Sequence, residues 1–307
     1  MVVRKLEVFG IPLPEITPGT DLARTIVESA NRLGIGIRDG DVIVVTSKVV
    51  SKAMGLLVKI SDVRPSTKAR IIARILGKPA WEVELILRNS KRILGAFPAH
   101  MLLKHSTILN YISRDRDRAL KVIESDRYLM IVDVGYRVAT DAGIDTSNVP
   151  SGYVCLPPSD PDRVARGIRD RIRELTGCDV AVILSDTEGS VLRVGSLDIA
   201  IGASGIVPVT AKFGESDRFG KSKYGGVDLI ADELCATAAL LMGQTGESIP
   251  VVLIRGLNYE RSNLELGRFR VPRGLLLKAL MLGILISVVI RFLLAIFSVV
   301  DLLRGRW

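Results

Sequence analysis

Asp179-Val180-Ala181-Val182-Ile183-Leu184-Ser185-Asp186-Thr187-Glu188-Gly189 decides the fold class. Its apolar, β-branched first half has the length of a buried strand rather than a helix, and it gives way abruptly to carboxylate and hydroxyl side chains. Just upstream, Asp160-Pro161-Asp162 puts proline at the first position of a helix. The apolar positions Val164, Ile168, Ile172 and Leu175 recur at helical spacing until Gly177 stops it. A helix that feeds a buried strand is the repeating step of an α/β sheet, and open sheets of this kind carry ligands at the carboxyl ends of their strands. Asp186 is therefore predicted at a ligand-binding edge.

Working outward, Asp41-Val42-Ile43-Val44-Val45-Thr46 predicts a second buried strand, with Ser47, Lys48, Ser51 and Lys52 directly after it. Hydroxyl and ammonium groups in that position can meet phosphate oxygens, although a lysine pair is also common on a solvated face. Asp21 caps a helix through Leu22, Ile26, Val27 and Leu33 that ends near Gly34, and Ser66 caps another through Ile71, Ile72 and Ile75 to Gly77. Residues 80–88 and 227–242 read as further helices, and Pro250-Val251-Val252-Leu253-Ile254-Arg255 as another buried strand. Residues 1–10 lack the long apolar core of a secretory leader and read as a strand. The charged segment 111–127 reads as a solvated excursion without chemistry. Helices and strands mix without regular alternation, so the expected class is α/β, a mixed α+β sheet architecture rather than a barrel.

Two acidic motifs carry the chemistry. Asp141-Ala142-Gly143-Ile144-Asp145-Thr146-Ser147-Asn148 and Ser185-Asp186-Thr187-Glu188-Gly189 set carboxylates beside hydroxyls, amides and glycine, the oxygen-rich surroundings that Mg²⁺ or Mn²⁺ prefer. Asp145 and Asp186 can converge on one cation shared with phosphate oxygens. The competing reading gives Asp141 and Asp145 to Asx turns or caps. Gly202-Ala203-Ser204-Gly205 and Gly243-Gln244-Thr245-Gly246 read as small-residue turns that let backbone amides approach a phosphate, without matching a P-loop or dinucleotide fingerprint.

A formal charge of +9 over 307 residues suits a polyanionic partner, whether nucleotide, nucleic acid or anionic membrane. Aromatic residues make up only 5%, and no basic stripe interleaved with them is evident, which argues against nucleic acid. Cys155, Cys178 and Cys235 are too scattered for a zinc site or a disulfide framework, consistent with a reducing compartment. His100 and His105, five apart, share neither a helical nor a strand face and read as structural.

Residues 279–300 are apolar apart from Ser287, Ser298 and Arg291, long enough for a helix to cross a bilayer core. Arg291 costs about 3 kcal/mol on insertion scales, and the 15 Leu, Ile, Val and Phe residues of the run at roughly −0.3 to −0.6 kcal/mol each outweigh it. The alternatives are a terminal helix buried in a dimer or one lying in the membrane surface. Arg268, Arg270, Arg273 and Lys278 precede the run, whereas Arg304 and Arg306 follow it with Asp301, a bias that keeps the large N-terminal part cytoplasmic. The expected organisation is a catalytic domain over 1–257, a linker over 258–274 and a membrane-spanning or membrane-associated helix over 275–307.

In their order along the chain these segments resemble the coenzyme F420-0:L-glutamate ligase family, the GTP-dependent γ-glutamyl ligases. The resemblance covers residues 6–258. Its motifs include Ile11-Pro12-Leu13-Pro14, Thr46-Ser47-Lys48-Val49-Val50-Ser51-Lys52-Ala53, the two acidic segments, Leu156-Pro157-Pro158-Ser159-Asp160-Pro161-Asp162, Ala231-Asp232-Glu233-Leu234 and Arg255-Gly256-Leu257. It implies an intertwined homodimer that binds GTP, L-glutamate and an F420-0-like acidic acceptor, with Mg²⁺ or Mn²⁺ and optionally K⁺. Metal binding would fall to Asp145, Asp186 and Thr187, with Gln244 a weaker candidate. Nucleotide contacts would fall to Ile11, Pro12, Leu13, Pro14, Ser47, Lys48, Lys52, Asn148, Met242, Gly243, Gln244, Thr245 and Gly246, and no catalytic residue is assigned. The implied reaction activates a carboxylate as an acyl phosphate, from which the amine of glutamate displaces phosphate. Asp141, Glu188 and Gln244 depart from the family pattern, and the apolar C-terminal run is an addition to it. A non-enzymatic, membrane-anchored nucleotide-binding relative, or a ligase for another acceptor, is the alternative.

Overall fold

β-Branched runs become strands and capped amphipathic runs become helices in the computed structural model, which describes residues 5–190 and 193–303. The first element is β1 (Glu7–Ile11), so Val2 and Val3 of the expected strand, like Arg304 and Arg306 at the other end, lie outside the described residues. α1 (Leu22–Arg32) starts where Asp21 Oδ1 accepts the N–H of Arg24 at 3.0 Å, a cap worth about 1 kcal/mol. β2 (Val42–Thr46) runs without a loop into α2 (Ser47–Ala53). After β3 (Leu57–Lys59) come α3 (Thr67–Leu76), capped by Ser66 and closed by left-handed Gly77, and α4 (Ala80–Arg88). β4 (Arg92–Phe97), α5 (Ala99–Leu103) and α6 (Ser106–Ile112) follow, and the charged excursion 111–127 takes in the end of α6 and all of α7 (Arg116–Ser125). β5 (Leu129–Asp133), β6 (Val138–Thr140) and β7 (Tyr153–Cys155) lead to α8 (Pro161–Thr176). β8 (Ala181–Gly189), β9 (Ser196–Ser204), α9 (Ile230–Met242) and β10 (Val251–Arg255) complete the globular part, and α10 (Arg273–Leu303) follows.

The main sheet has the order β1-β10-β2-β8-β9, with β2 and β8 parallel and the other neighbours antiparallel. It is a mixed sheet covered on both faces, which is why Val42, Ile43, Val44 and Val45 are all fully buried rather than alternating in and out. One face packs Ile43, Val45, Val182 and Leu184 against Ile26 of α1 and Ile168 and Ile172 of α8. The other packs Val44, Ile183 and Val252 against Leu234 and Ala238 of α9. Each fully buried Val or Ile contributes about 1.5–3 kcal/mol, so the central strands hold the sheet rigidly. A smaller sheet, β4-β5-β6, rests on α3 and α4 through Met130, Val132, Ala73 and Ile86.

Three sequence expectations change. β8 does not stop at Ser185: β2 ends at the Thr46–Ser185 pair, but β9 keeps pairing through Gly189, so Asp186 and Thr187 lie inside a strand that outruns its parallel neighbour. Gly202-Ala203-Ser204 is not a turn but buried strand, and Gly202 is required because a Cβ there would sit 2.4 Å from the carbonyl carbon of Pro161. Of the expected linker, residues 258–268 belong to the globular unit, which ends at Arg268. Asp162 accepts the N–H groups of Leu266 and Gly267 at 3.2 and 3.3 Å, and Tyr259 and Leu266 pack on the core.

The second unit, Phe269–Trp307, contains α10. Lys278–Ser298 is 21 residues of mean hydropathy 2.7, long and apolar enough to cross a membrane.

Candidate active site

Where β8 outruns β2, the sheet opens into a cleft of about 580 Å³. One wall is strand and helix start: Thr46 at the end of β2 and Ser47 at the start of α2, then Ser185, Asp186 and Thr187 on β8, and Asp198 on β9. The facing walls are turns, 140–148 and 242–250, with Leu13 to Ile16 closing one side. Leu13, Pro14, Ser47, Lys48, Lys52, Asp145, Asn148, Asp186, Thr187 and the turn from Met242 to Gly246 all line this one cleft. Ile11 and Pro12 do not: Ile11 is fully buried in the core under α1, and Pro12 lies exposed outside the lining. Their part is to carry the chain from β1 to Leu13.

Asp145 and Asp186, far apart in sequence, face the same space. Asp186 accepts the Ser47 hydroxyl at 3.0 Å and Arg137 Nη2 at 2.5 Å. Burial pushes its carboxyl up, and the nearby carboxylates Glu188 and Asp145 add to this against the pull of Arg137 and Ser47. Asp145 meets Lys48 Nζ at 2.6 Å and accepts the Ser147 N–H at 2.6 Å, so it makes the expected Asx turn while also facing the cleft. Burial works to raise its carboxyl, but Lys48 and Ser147 together hold it below the ordinary aspartate value. Asn148, left-handed at φ 52°, donates from its side chain to the Thr245 carbonyl at 2.9 Å and ties the two turn walls together. Gly243 is needed in the second turn, because its backbone at φ 67° and ψ −176° lies in a region essentially confined to glycine.

The donor set is one that suits a hard cation: two carboxylates, a threonine hydroxyl and a carboxamide, without sulfur or imidazole. Asp186 and Asp145 each hold a positive counter-charge, from Arg137 and Lys48 respectively. Arg137 and Asp198 were not found from sequence. Arg137 bridges Asp186 and Glu188, bonding the latter at 2.7 Å, and Glu188 also accepts the Thr140 hydroxyl. Asp198 accepts from Thr187 and Gln244. Each is a single charged residue outside any motif: the β8–β9 register sets Asp198 on the cleft wall, and Arg137, in the bend before β6, reaches the site only through its ion pair with Asp186.

A second acidic group, Glu82, Asp126 and Asp141, gathers three carboxylates within 4.8 Å. Its centre is taken by the buried Lys78 ammonium, at 2.8 Å from Glu82, 2.6 Å from Asp126 and 3.2 Å from Asp141. A fixed cation already fills the place a metal would take. Asp126 thus gives the charged excursion a structural charge that its sequence did not suggest. His100 likewise has a packing role, with Nδ1 against the Arg127 carbonyl at 2.9 Å and its ring tilted on Tyr128.

The F420-0:Gamma-glutamyl ligase family matches residues 10–256. A coenzyme F420:L-glutamate ligase from Archaeoglobus fulgidus is 38% identical over 255 residues, 83% of this chain and 89% of that protein. Its counterpart from Methanopyrus kandleri is 36% identical over 269 residues, 87% of this chain and 92% of that protein. One from Methanothermobacter thermautotrophicus is 36% identical over 256 residues, 83% and 90% of the two chains.

Proposed function

The chain belongs to the F420-0:gamma-glutamyl ligase family, and we propose that it joins L-glutamate to coenzyme F420-0, or to a closely similar acidic acceptor, at the expense of GTP. The support is a single cleft that gathers Asp145, Asp186, Thr187, Lys48, Asn148 and the 242–246 turn. In this reading Lys48 in the first turn of α2 and Lys52 in its last face the nucleotide phosphates, and the backbone amides of the 242–246 turn approach them. Asp145, Asp186, Thr187 and Gln244 hold Mg²⁺ or Mn²⁺, with K⁺ a further candidate. The bound cation supplies charge neutralisation at the phosphates. The acceptor carboxylate takes the γ-phosphoryl group to become an acyl phosphate, and the glutamate amine displaces phosphate to leave an amide. The protein's share is to position these groups and stabilise charge.

The globular unit works as a homodimer in this proposal. β4 is one of the two edge strands of its sheet and exposes Ile93, Leu94 and Phe97 by 42–45%, an apolar edge of the kind that association covers. α10 is proposed to anchor the enzyme in the membrane with its catalytic part in the cytoplasm.

The test is turnover by the full-length protein in detergent with GTP, Mg²⁺ or Mn²⁺, L-glutamate and F420-0. Stoichiometric GDP, phosphate and glutamylated acceptor are expected. Nucleotide binding without product would refute the ligase reading and favour a regulatory nucleotide-binding role.

A further inference from the structure

Asp198 holds a position in the cleft that neither the family reading nor the sequence assigns. It stands on β9 directly across from Thr187 on β8, is only 4% exposed and lines the cleft. An ionised carboxylate accepts hydrogen bonds and donates none, so it dictates where its neighbours put their hydrogens. Oδ1 of Asp198 takes the Thr187 hydroxyl hydrogen at 2.8 Å and an amide hydrogen of Gln244 at 3.0 Å, while Oδ2 meets Ser185 Oγ at 3.4 Å.

Two consequences follow from that assignment. The Gln244 NH₂ is turned toward Asp198, so its carbonyl oxygen Oε1 must point the other way. The single hydroxyl hydrogen of Thr187 goes to the shorter, charged acceptor, so Oγ1 presents lone pairs elsewhere. These two oxygens, Thr187 Oγ1 and Gln244 Oε1, are 3.3 Å apart. With the hydrogen committed to Asp198 they face each other as two acceptors, an arrangement that repels unless a cation is shared between them. Neighbouring oxygens around an octahedral cation with bonds of about 2.1 Å lie about 3.0 Å apart, close to the observed separation.

We propose that Asp198 is a positioning residue that makes Thr187 and Gln244 a matched pair of oxygen donors for a divalent cation, a role that rests on the metal-dependent reading above. It also explains how a neutral glutamine can serve at this place in the cleft: the carboxylate beside it guarantees that oxygen, not nitrogen, faces the ion. Neighbours that orient metal ligands in this way typically account for about 10–100-fold in metal affinity.

The test is Mn²⁺ binding to the full chain in detergent, followed by the electron paramagnetic resonance signal of free Mn²⁺, with thermal melting in parallel. Asp198→Asn is expected to weaken Mn²⁺ binding by about 10–100-fold while a cooperative melt is retained. The reciprocal swap, Asp198→Asn with Gln244→Glu, reverses donor and acceptor: the introduced amide donates to the introduced carboxylate, whose other oxygen accepts the Thr187 hydroxyl hydrogen that position 198 no longer takes. It is expected to return Mn²⁺ affinity to within a few-fold of wild type, and it provides the decisive reading should the single variant fail to fold. Unchanged affinity in Asp198→Asn, or a folded swap that binds no better than the single variant, overturns the positioning role and leaves the ligase reading standing. A wild-type chain that binds no Mn²⁺ would instead refute the metal-dependent reading, and this proposal with it.

Discussion

Replacing Asp141 by asparagine should make the protein more stable at pH 7.5 and leave it unchanged near pH 3. Asp141 sits with Glu82 and Asp126 around one ammonium, three carboxylates to a single lysine, and is the most distant of the three at 3.2 Å from Lys78 Nζ. Burial pushes its carboxyl up to about 6, against the pull of Lys78 and of the Met130 N–H that its Oδ1 accepts at 2.9 Å. Burial alone would lower the Lys78 ammonium, but Asp141, Glu82 and Asp126 together drive it up, so it stays charged throughout this range. A carboxyl whose folded value exceeds its unfolded one contributes stability that is fully present below the unfolded value and lost as pH rises through the folded one. Between 3.8 and about 6 the native state therefore binds the extra proton, and stability from this group falls with rising pH. At 1.36 kcal/mol per unit the difference amounts to about 3 kcal/mol. Asparagine resembles the protonated carboxyl and can still accept from Met130. Urea unfolding of Asp141→Asn and wild type from pH 3 to 8 should thus give a difference near zero at the acid end, growing to about 3 kcal/mol in favour of the variant. A difference that is flat across the range, or that favours wild type at pH 7.5, would refute the account of the cluster.

Asp186→Asn should lower metal-dependent GDP release by more than about 100-fold with the fold retained, as judged by circular dichroism; activity within a few-fold of wild type would remove Asp186 from the site. Asp41→Ala should cost about 3–5 kcal/mol in urea unfolding, because Asp41 is 1% exposed and holds Arg255 at 2.7 Å, and its loss leaves that guanidinium without a counter-charge, bonded only to the Gly36 and Ile35 carbonyls. Ending the chain at Arg268 should give a protein that stays in solution without detergent and does not sediment with vesicles, whereas the full chain does; equal behaviour of the two would end the anchor reading.

Local chemistry made much of this fold legible. The caps Asp21, Ser66 and Asp160 all accept the N–H three residues on, and Gly77 and Gly177 close their helices in left-handed conformations, because these are decisions of a single turn. The four-valine-like core of β2 and the α8-to-β8 step were legible for the same reason. What escaped depended on partners distant in sequence. β8 continues to Gly189 only because β9 pairs with it, and Gly202 is strand because Pro161 packs against it. Arg137, Asp198 and Lys78 carry no motif, and their roles exist only once the sheet sets their neighbours. The expectation of no interleaved basic and aromatic surface also fails locally. Phe213, Phe219 and Tyr224 are 62–98% exposed on a short hairpin bridged at Ser216 and Ser222, among Lys212, Arg218, Lys221 and Lys223.

The continuation of β8 past the end of β2 gives the cleft one stiff side and one soft side. Asp186, Thr187 and Asp198 ride on strands joined by a continuous backbone ladder, whereas 146–148 and 243–248 are held by a few side-chain bonds in and between turns. Occupancy should accordingly be written in the amide exchange of those turns, slowed as ligand settles, while the amides of β8 keep the same pace full or empty.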